Sequence, residues 1–436
     1  MKRFSLLIII IPALLFNSCK EEKHASYMTN QLAAEYFNKI DSICKDEKAF
    51  LWGTGIYGPL MMVDRDTRQI YANFQDEEGL LKPRDGIYVG IYPKEKVIRD
   101  FAVTFGGTVS GMTQLRAQED EYEIISRSAH ALFHCTQIRK EIDTPEFHAS
   151  HLNERTARRW VKLEWKALQR AVRTSGDTRT QAIRDALVFR SARREMYPRF
   201  IAEENNFENY EGTTTFTYMY LCNSTYENYI KSLLNYYERI YNTRSYPNSW
   251  GFINGALYSH LLFESGFDFT TINSRDIDLG ELTRERYNIE LPEISRDIAG
   301  SLAFNYDIDL INEEENTREE KLSEELQRIV SKYIDKPVVY LELESPNFSF
   351  EPGDMTPADS LGTVYNTLRV SDNWGKITVD EGGCLVSPGL EFIRVPAKNI
   401  KTDRNHITGD GWQIILNDSW EIADFEENYV VKKLLP

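Results

Sequence analysis

Paired cysteine signals are missing from this 436-residue chain: its five cysteines stand scattered at 19, 44, 135, 222 and 384. Without any C-x-x-C spacing, a structural zinc knuckle is excluded. The glycine-rich signatures G-x-x-x-x-G-K-[ST], G-x-G-x-x-G and G-x-S-x-G are also absent, which sets aside phosphate-loop, dinucleotide and nucleophile-elbow chemistry. Basic charge is in deficit, with 51 Lys and Arg against 67 Asp and Glu and a formal net charge of −16. Such a surface repels phosphate backbones and anionic headgroups, so neither nucleic acid nor a membrane surface is an expected partner. Internal repeats and low-complexity tracts are lacking too, and no apolar run beyond the first twenty residues is long enough to span a bilayer. What remains is the composition of a globular protein, 42% hydrophobic and 12% aromatic. The length exceeds the roughly 250–300 residues at which single cores stop growing, so more than one unit is expected.

The first residues read as an address. Lys2 and Arg3 precede the apolar run Phe4–Phe16, and Ser18-Cys19 closes it. The run is short for a membrane span and suits a secretory signal. A small residue directly before a cysteine resembles a bacterial lipobox, and the Lys20–Lys23 stretch resembles the export signals of surface lipoproteins. The resemblance implies a signal peptide at 1–18, lipidation of Cys19, and an exported chain held at the outer membrane or cell surface by that lipid alone.

The expected fold class is α+β. Residues 19–49 read as a tether and a short helix packing Leu32, Phe37 and Ile40. From 50 to 118, short apolar runs split by Gly and Pro predict strands, with a hairpin joining Met61–Val63 to Ile70–Ala72. Helical periodicity takes over from 119 to 335. Trp160, Leu163, Ala167 and Ala171 share one face, Pro198 stops the next helix, and single helices are expected over Glu211–Ile240 and Trp250–Glu264. Residues 336–436 return to period two and predict a β-rich, sandwich-like domain.

His130-Ala131-Leu132-Phe133-His134 places two imidazoles four residues apart on one helical face, where both can reach one metal ion. Further elements follow in order: Asn209-Tyr210-Glu211-Gly212, then Phe252-Ile253-Asn254-Gly255-Ala256-Leu257. Together they resemble the H-E-x-x-H, N-E-G-x-A and Y-x-K-G-A-L elements of gluzincin zinc metallopeptidases. Gly106–Met112 stands where that family has its substrate-side edge strand. The chain is also similar to an uncharacterised group with H-E-x-F-H, L-E-W and E-G-L-A-E-Y helices, here His130–His134, Leu163–Trp165 and Glu211–Phe216. The resemblance covers roughly residues 50–270. It implies zinc held by His130, His134 and a glutamate, Glu211 before Glu154 or Glu164, on a helical peptidase-like core.

Two departures bear on catalysis. Ala131 stands at the general-base position and can accept no proton; Phe252 stands at the Tyr position and has no hydroxyl. Acid–base catalysis is worth about 10²–10⁴-fold, and one oxyanion donor about 10²–10³-fold. The expectation is a degenerate peptidase that binds a peptide or protein. Its alternatives are an active zinc peptidase with Glu204 or Glu208 as substitute base, or a carbohydrate-binding lipoprotein. Restoring Glu at 131 is expected to leave the backbone in place. His148 and His151 read as a surface turn, Arg190, Arg193 and Arg194 as a basic spot paired with Glu203 or Glu204, Cys135 as a buried helix thiol, and Tyr226–Tyr241 as core.

Overall fold

A computed structural model describes residues 27–94, 96–145, 149–350 and 355–434. Residues 1–18, where a signal peptide is expected, Cys19 and His148 lie outside the described residues. The expected α+β architecture is present, with N-terminal strands, a helical core and C-terminal sheets. The chain divides into two compact units, Met1–Ile311 and Asn312–Pro436.

In the first unit, helix α1 (Asn30–Cys44) precedes six strands: β1 (Leu60–Asp64), β2 (Gln69–Ala72), β3 (Lys82–Arg84), β4 (Ile87–Ile91), β5 (Phe101–Phe105) and β6 (Thr108–Leu115). They form one sheet in the order β3-β4-β2-β1-β6-β5. The β1–β2 pair is the expected hairpin, with Met61 opposite Ala72 and Val63 opposite Ile70. Alternation sorts the side chains onto two faces. Met61, Val63, Ile70 and Met112 fill a cluster on one face, and Leu60, Met62, Tyr71 and Leu115 join the main helical core on the other. The expected edge strand over 106–112 needs correction. Gly106 and Gly107 adopt φ of +52° and +81° and turn β5 back onto β6. Thr108–Leu115 is therefore an inner strand, and β5 holds the edge.

The helices are α2 (Glu121–Arg139), α3 (Arg155–Arg173), α4 (Gly176–Met196), α5 (Ile201–Phe207), α6 (Thr213–Cys222), α7 (Tyr226–Tyr241), α8 (Trp250–Glu264), α9 (Leu279–Arg286), α10 (Ser295–Leu302) and α11 (Ile308–Tyr333). Asp120 caps α2, its carboxylate accepting from the Glu123 amide at 2.8 Å. The single helix expected over Glu211–Ile240 is broken. A π-helical turn at Glu208–Gly212 precedes α6, and α6 ends at Cys222 because Asn223 is extended and Thr225 caps α7 through the Asn228 amide.

The second unit is a sandwich. A seven-stranded sheet contributes Val339, Leu341, Ile393 and Val395, and a six-stranded sheet contributes Val370, Ile377, Trp412 and Ile414, to one shared core. Leu368–Asp372 alternates buried and exposed positions, as a half-buried strand must. The apolar stripe of α11 ends in Ile329 and Tyr333, which pack on Ala358, Val364 and Leu385 of the same unit.

A candidate metal centre under the first sheet

Helix α2 packs directly beneath β6. Thr113 and Ser128 hydrogen-bond across the contact at 2.9 Å, and Gly111 lies against Ala131. A Cβ at Gly111 would fall 3.3 Å from that of Ala131. The helix thereby presents His130 and His134 beside β5, and the Phe101 ring of that edge strand lies 4.4 Å from the His134 ring. Ala131 is fully buried. The expectation that Glu fits at 131 without backbone movement is therefore corrected, because a longer side chain starts against the β6 backbone.

The third ligand position is decided by the π turn. Within the described residues, His130, His134 and Glu211 form a group whose ligand atoms all lie within 4.8 Å of one another. The His130 and His134 Nε2 atoms are 3.0 Å apart, and Glu211 Oε2 lies 3.4 Å from His134 Nε2 and 3.9 Å from His130 Nε2. Two donors each bound to a tetrahedral ion at about 2.0–2.1 Å sit about 3.3 Å apart, and the observed separations straddle that value. An extra residue in the helical turn swings Glu211 away from the face of Glu204 and Glu208, which is a common use of π turns at functional sites.

Glu154 and Glu164 do not join the group. Exposed Glu154 accepts from the Tyr197 hydroxyl at 2.8 Å. Glu164 is fully buried, and it accepts from Arg193 at 2.9 Å and from the Tyr258 hydroxyl at 2.9 Å. The substitute bases fare no better. Glu208 takes both Arg190 nitrogens at 2.5 Å and the Asn254 amide at 2.5 Å. Glu204 is held by Arg193, Arg194 and His151. The arginines thus pair with Glu204, as expected, within a buried ionic network that also takes in Glu164, Glu208 and Asp278. His151 is corrected: it is buried, with Nε2 2.9 Å from Glu204, and its ring stacks on Phe200. Cys135 is a buried thiol pushed up to about 12 by desolvation, as a structural helix cysteine should be.

Three features prepare the His–His–Glu group for a cation. Gln137 donates its amide to the Tyr210 carbonyl at 2.8 Å, which turns its Oε1 toward His134 Nδ1 at 2.7 Å. His134 must then carry its proton on Nδ1 and leave Nε2 bare, the arrangement that outer hydrogen bonds impose on metal-binding imidazoles. Burial foremost, with His134 beside it, pushes His130 down to about 3, so it is neutral at pH 7. Burial raises the Glu211 carboxyl, but the charge that His134, foremost, and His130 would carry when protonated lowers it below its ordinary value. Its Oε2 is buried and receives no hydrogen bond among the described residues. One proton on His130 Nε2 cannot serve both His134 Nε2 and Glu211 Oε2, whereas one cation serves all three. The donor set fits a metal ion, with three protein ligands and a fourth position left for another group.

Glycine explains the two motif segments structurally. Gly255 of α8 lies so close to the π turn that a Cβ would fall 2.1 Å from the Glu208 carbonyl oxygen, and one at Gly212 would fall 2.4 Å from Gly255 Cα. Phe252 packs beside the centre, its ring centroid 6.5 Å from that of His130. Sequence reasoning missed Tyr218, whose ring is 5.8 Å from His130. It stands seven residues after Glu211, a helical repeat that could have found it. The centre opens through His130 into a cleft of about 680 Å³ lined also by Asp100, Arg127, Tyr218, Tyr236 and Arg239. The chain matches no family model, and no curated protein or solved structure is significantly similar to it.

Proposed function

We propose that this protein is a peptide-binding pseudopeptidase, with zinc held by His130, His134 and Glu211 and the catalytic base lost. The carrying observation is that two imidazoles of α2 meet the Glu211 carboxylate of the π turn, while Ala131, between the two histidines, is fully buried against β6. Two imidazoles and one carboxylate, with a fourth site open, form the donor set of zinc in hydrolytic enzymes. Zinc bound there would polarise a carbonyl or a water. The chain's own residues do the rest: the edge strand β5 offers backbone pairing to an extended peptide, and the cleft beside His130 receives its side chains. Turnover by a substitute base loses support because every oxygen of Glu204 and Glu208 is already spent on arginine, Asn254 or His151. Lipid anchoring at Cys19 and export belong to the same proposal, which rests on the N-terminal sequence. No helix of the described residues is long and apolar enough to cross a membrane.

The test is metal analysis of the purified full chain beside turnover of a mixed peptide library. We expect about one zinc per chain, its loss in His130→Ala, His134→Ala and Glu211→Gln, and no hydrolysis. Absence of near-stoichiometric zinc at neutral pH overturns the metal centre. Chelator-sensitive hydrolysis by the parent overturns the degenerate half of the reading.

A further inference from the structure

The cleft that opens from His130 contains acids that are mostly spent and donors that are not. Asp100 accepts from the Gln114 amide at 2.7 Å and faces Arg127 at 3.3 Å and Arg116 at 3.6 Å. Arg127 is further paired with Glu119 at 2.6 Å. Asp120 is engaged as the cap of α2. Glu123 is exposed at the same end of that helix, near Arg127. The two cations of this wall are therefore neutralised.

The opposite wall differs. Ser232, Asn235, Tyr236 and Arg239 line the cleft at a spacing that puts them on one face of α7. Arg239 has no carboxylate partner among the described residues, and its guanidinium lies 4.6 Å from the centroid of the Tyr236 ring. Stacking of this kind orients the planar fork while leaving its N–H groups available. The Tyr236 hydroxyl is hydrogen-bonded to Arg239 and close enough to feel the charge of Glu211. The Tyr218 hydroxyl has no hydrogen-bond partner among the described residues, and it lies beside His130 on the cleft floor. One guanidinium without a carboxylate partner among the described residues and two phenol O–H groups thus lead from the rim to the metal centre. A ligand that completes them must bring acceptors and a negative charge.

We propose that this cleft binds the free carboxylate of a peptide C-terminus, with Arg239 as its cation and the Tyr236 and Tyr218 hydroxyls as further donors. The inference rests on the peptide-binding reading above and adds which end of the peptide is captured. A carboxylate matches the two-pronged geometry of a guanidinium. A phosphate dianion is a poorer fit, because Glu123 and Asp120 stand in the same cleft and the chain carries a net charge of −16.

The experiment titrates zinc-loaded full-length protein with N-acetyl-Ala-Ala-Phe as the free acid and as the amide. The expected result is a preference of about tenfold or more for the acid, the size of one charge-assisted contact. That preference collapses to near unity in Arg239→Gln, is partly kept in Arg239→Lys, and weakens in Tyr236→Phe. Equal affinity for acid and amide, a preference surviving Arg239→Gln, no binding of either peptide at millimolar concentration, or displacement of the acid by equimolar inorganic phosphate overturns the proposal. Repeating the titration after chelation separates it from the metal reading. An Arg239-dependent preference in a protein that never binds zinc leaves this inference standing alone, and zinc without any acid preference removes it alone.

Discussion

Gln137→Leu is the sharpest probe of the metal centre, because Gln137 touches no metal and is expected to matter through His134. Its Oε1 accepts from His134 Nδ1 at 2.7 Å, and its amide nitrogen donates to the Tyr210 carbonyl at 2.8 Å. Leucine keeps the volume and removes both bonds. His134 then loses the partner that assigns its proton to Nδ1, and its Nε2 is no longer held bare toward Glu211. Outer-sphere losses of this type cost about 10–100-fold in metal affinity, which is about 1.4–2.7 kcal/mol. A separate cost falls on the metal-free fold, since the buried His134 N–H is left unpaired, at about 1–3 kcal/mol, whereas the Tyr210 carbonyl keeps the Thr214 hydroxyl at 2.7 Å. The assay is competition for zinc against a chromogenic chelator at pH 7.5, paired with urea unfolding of the metal-free chain. The variant should show zinc affinity weakened by one to two decades together with lower stability. Unchanged zinc affinity in a variant that is measurably destabilised would refute the tautomer argument. It would show that His134 is oriented by its ring contacts with Tyr210 and Phe101 alone.

Two other outcomes follow from the same geometry. Gly255→Ala puts a methyl 2.1 Å from a backbone carbonyl and should cost about 3 kcal/mol or more, with weaker zinc binding because the π turn must move; native-like stability by urea unfolding would contradict this. On lowering the pH, stability should fall once ordinary carboxyl values near about 4 are passed. The Glu204 and Asp278 carboxyls are held below their ordinary range: burial opposes this, but Arg193 and Arg190, respectively, lead the charges that outweigh it. The folded state thus binds these protons less readily than the unfolded one, so their contribution is full above the unfolded values and is lost toward the depressed ones. A melting temperature that stays flat from pH 5 to pH 2, or a Glu204→Gln variant with the parent's pH slope, would count against it.

Local pattern makes much of this protein legible in its sequence. The period-two runs of Met61–Val63 and Ile70–Ala72 are a hairpin, and Trp160, Leu163, Ala167 and Ala171 are buried on α3. His130 and His134 share a helical face, as their spacing demands. Each of these depends only on side-chain direction along one element, which the sequence alone determines. Tertiary structure decides everything that joins distant segments. Glu211 rather than Glu154 or Glu164 meets the histidines because a π turn rotates it, and that turn is held by a glycine crossing with α8 and by Arg190 gripping Glu208. His151 is the buried partner of Glu204 and not part of a surface turn, and the sheet edge is β5 and not β6 because a Gly-Gly turn folds one onto the other. Tyr218, Tyr236 and Arg239 become one cleft wall only where α6 and α7 pack beside α2. Periodicity reports which face of an element is buried, but the partner across the core is chosen by contacts between residues far apart in the chain, and no single segment encodes them.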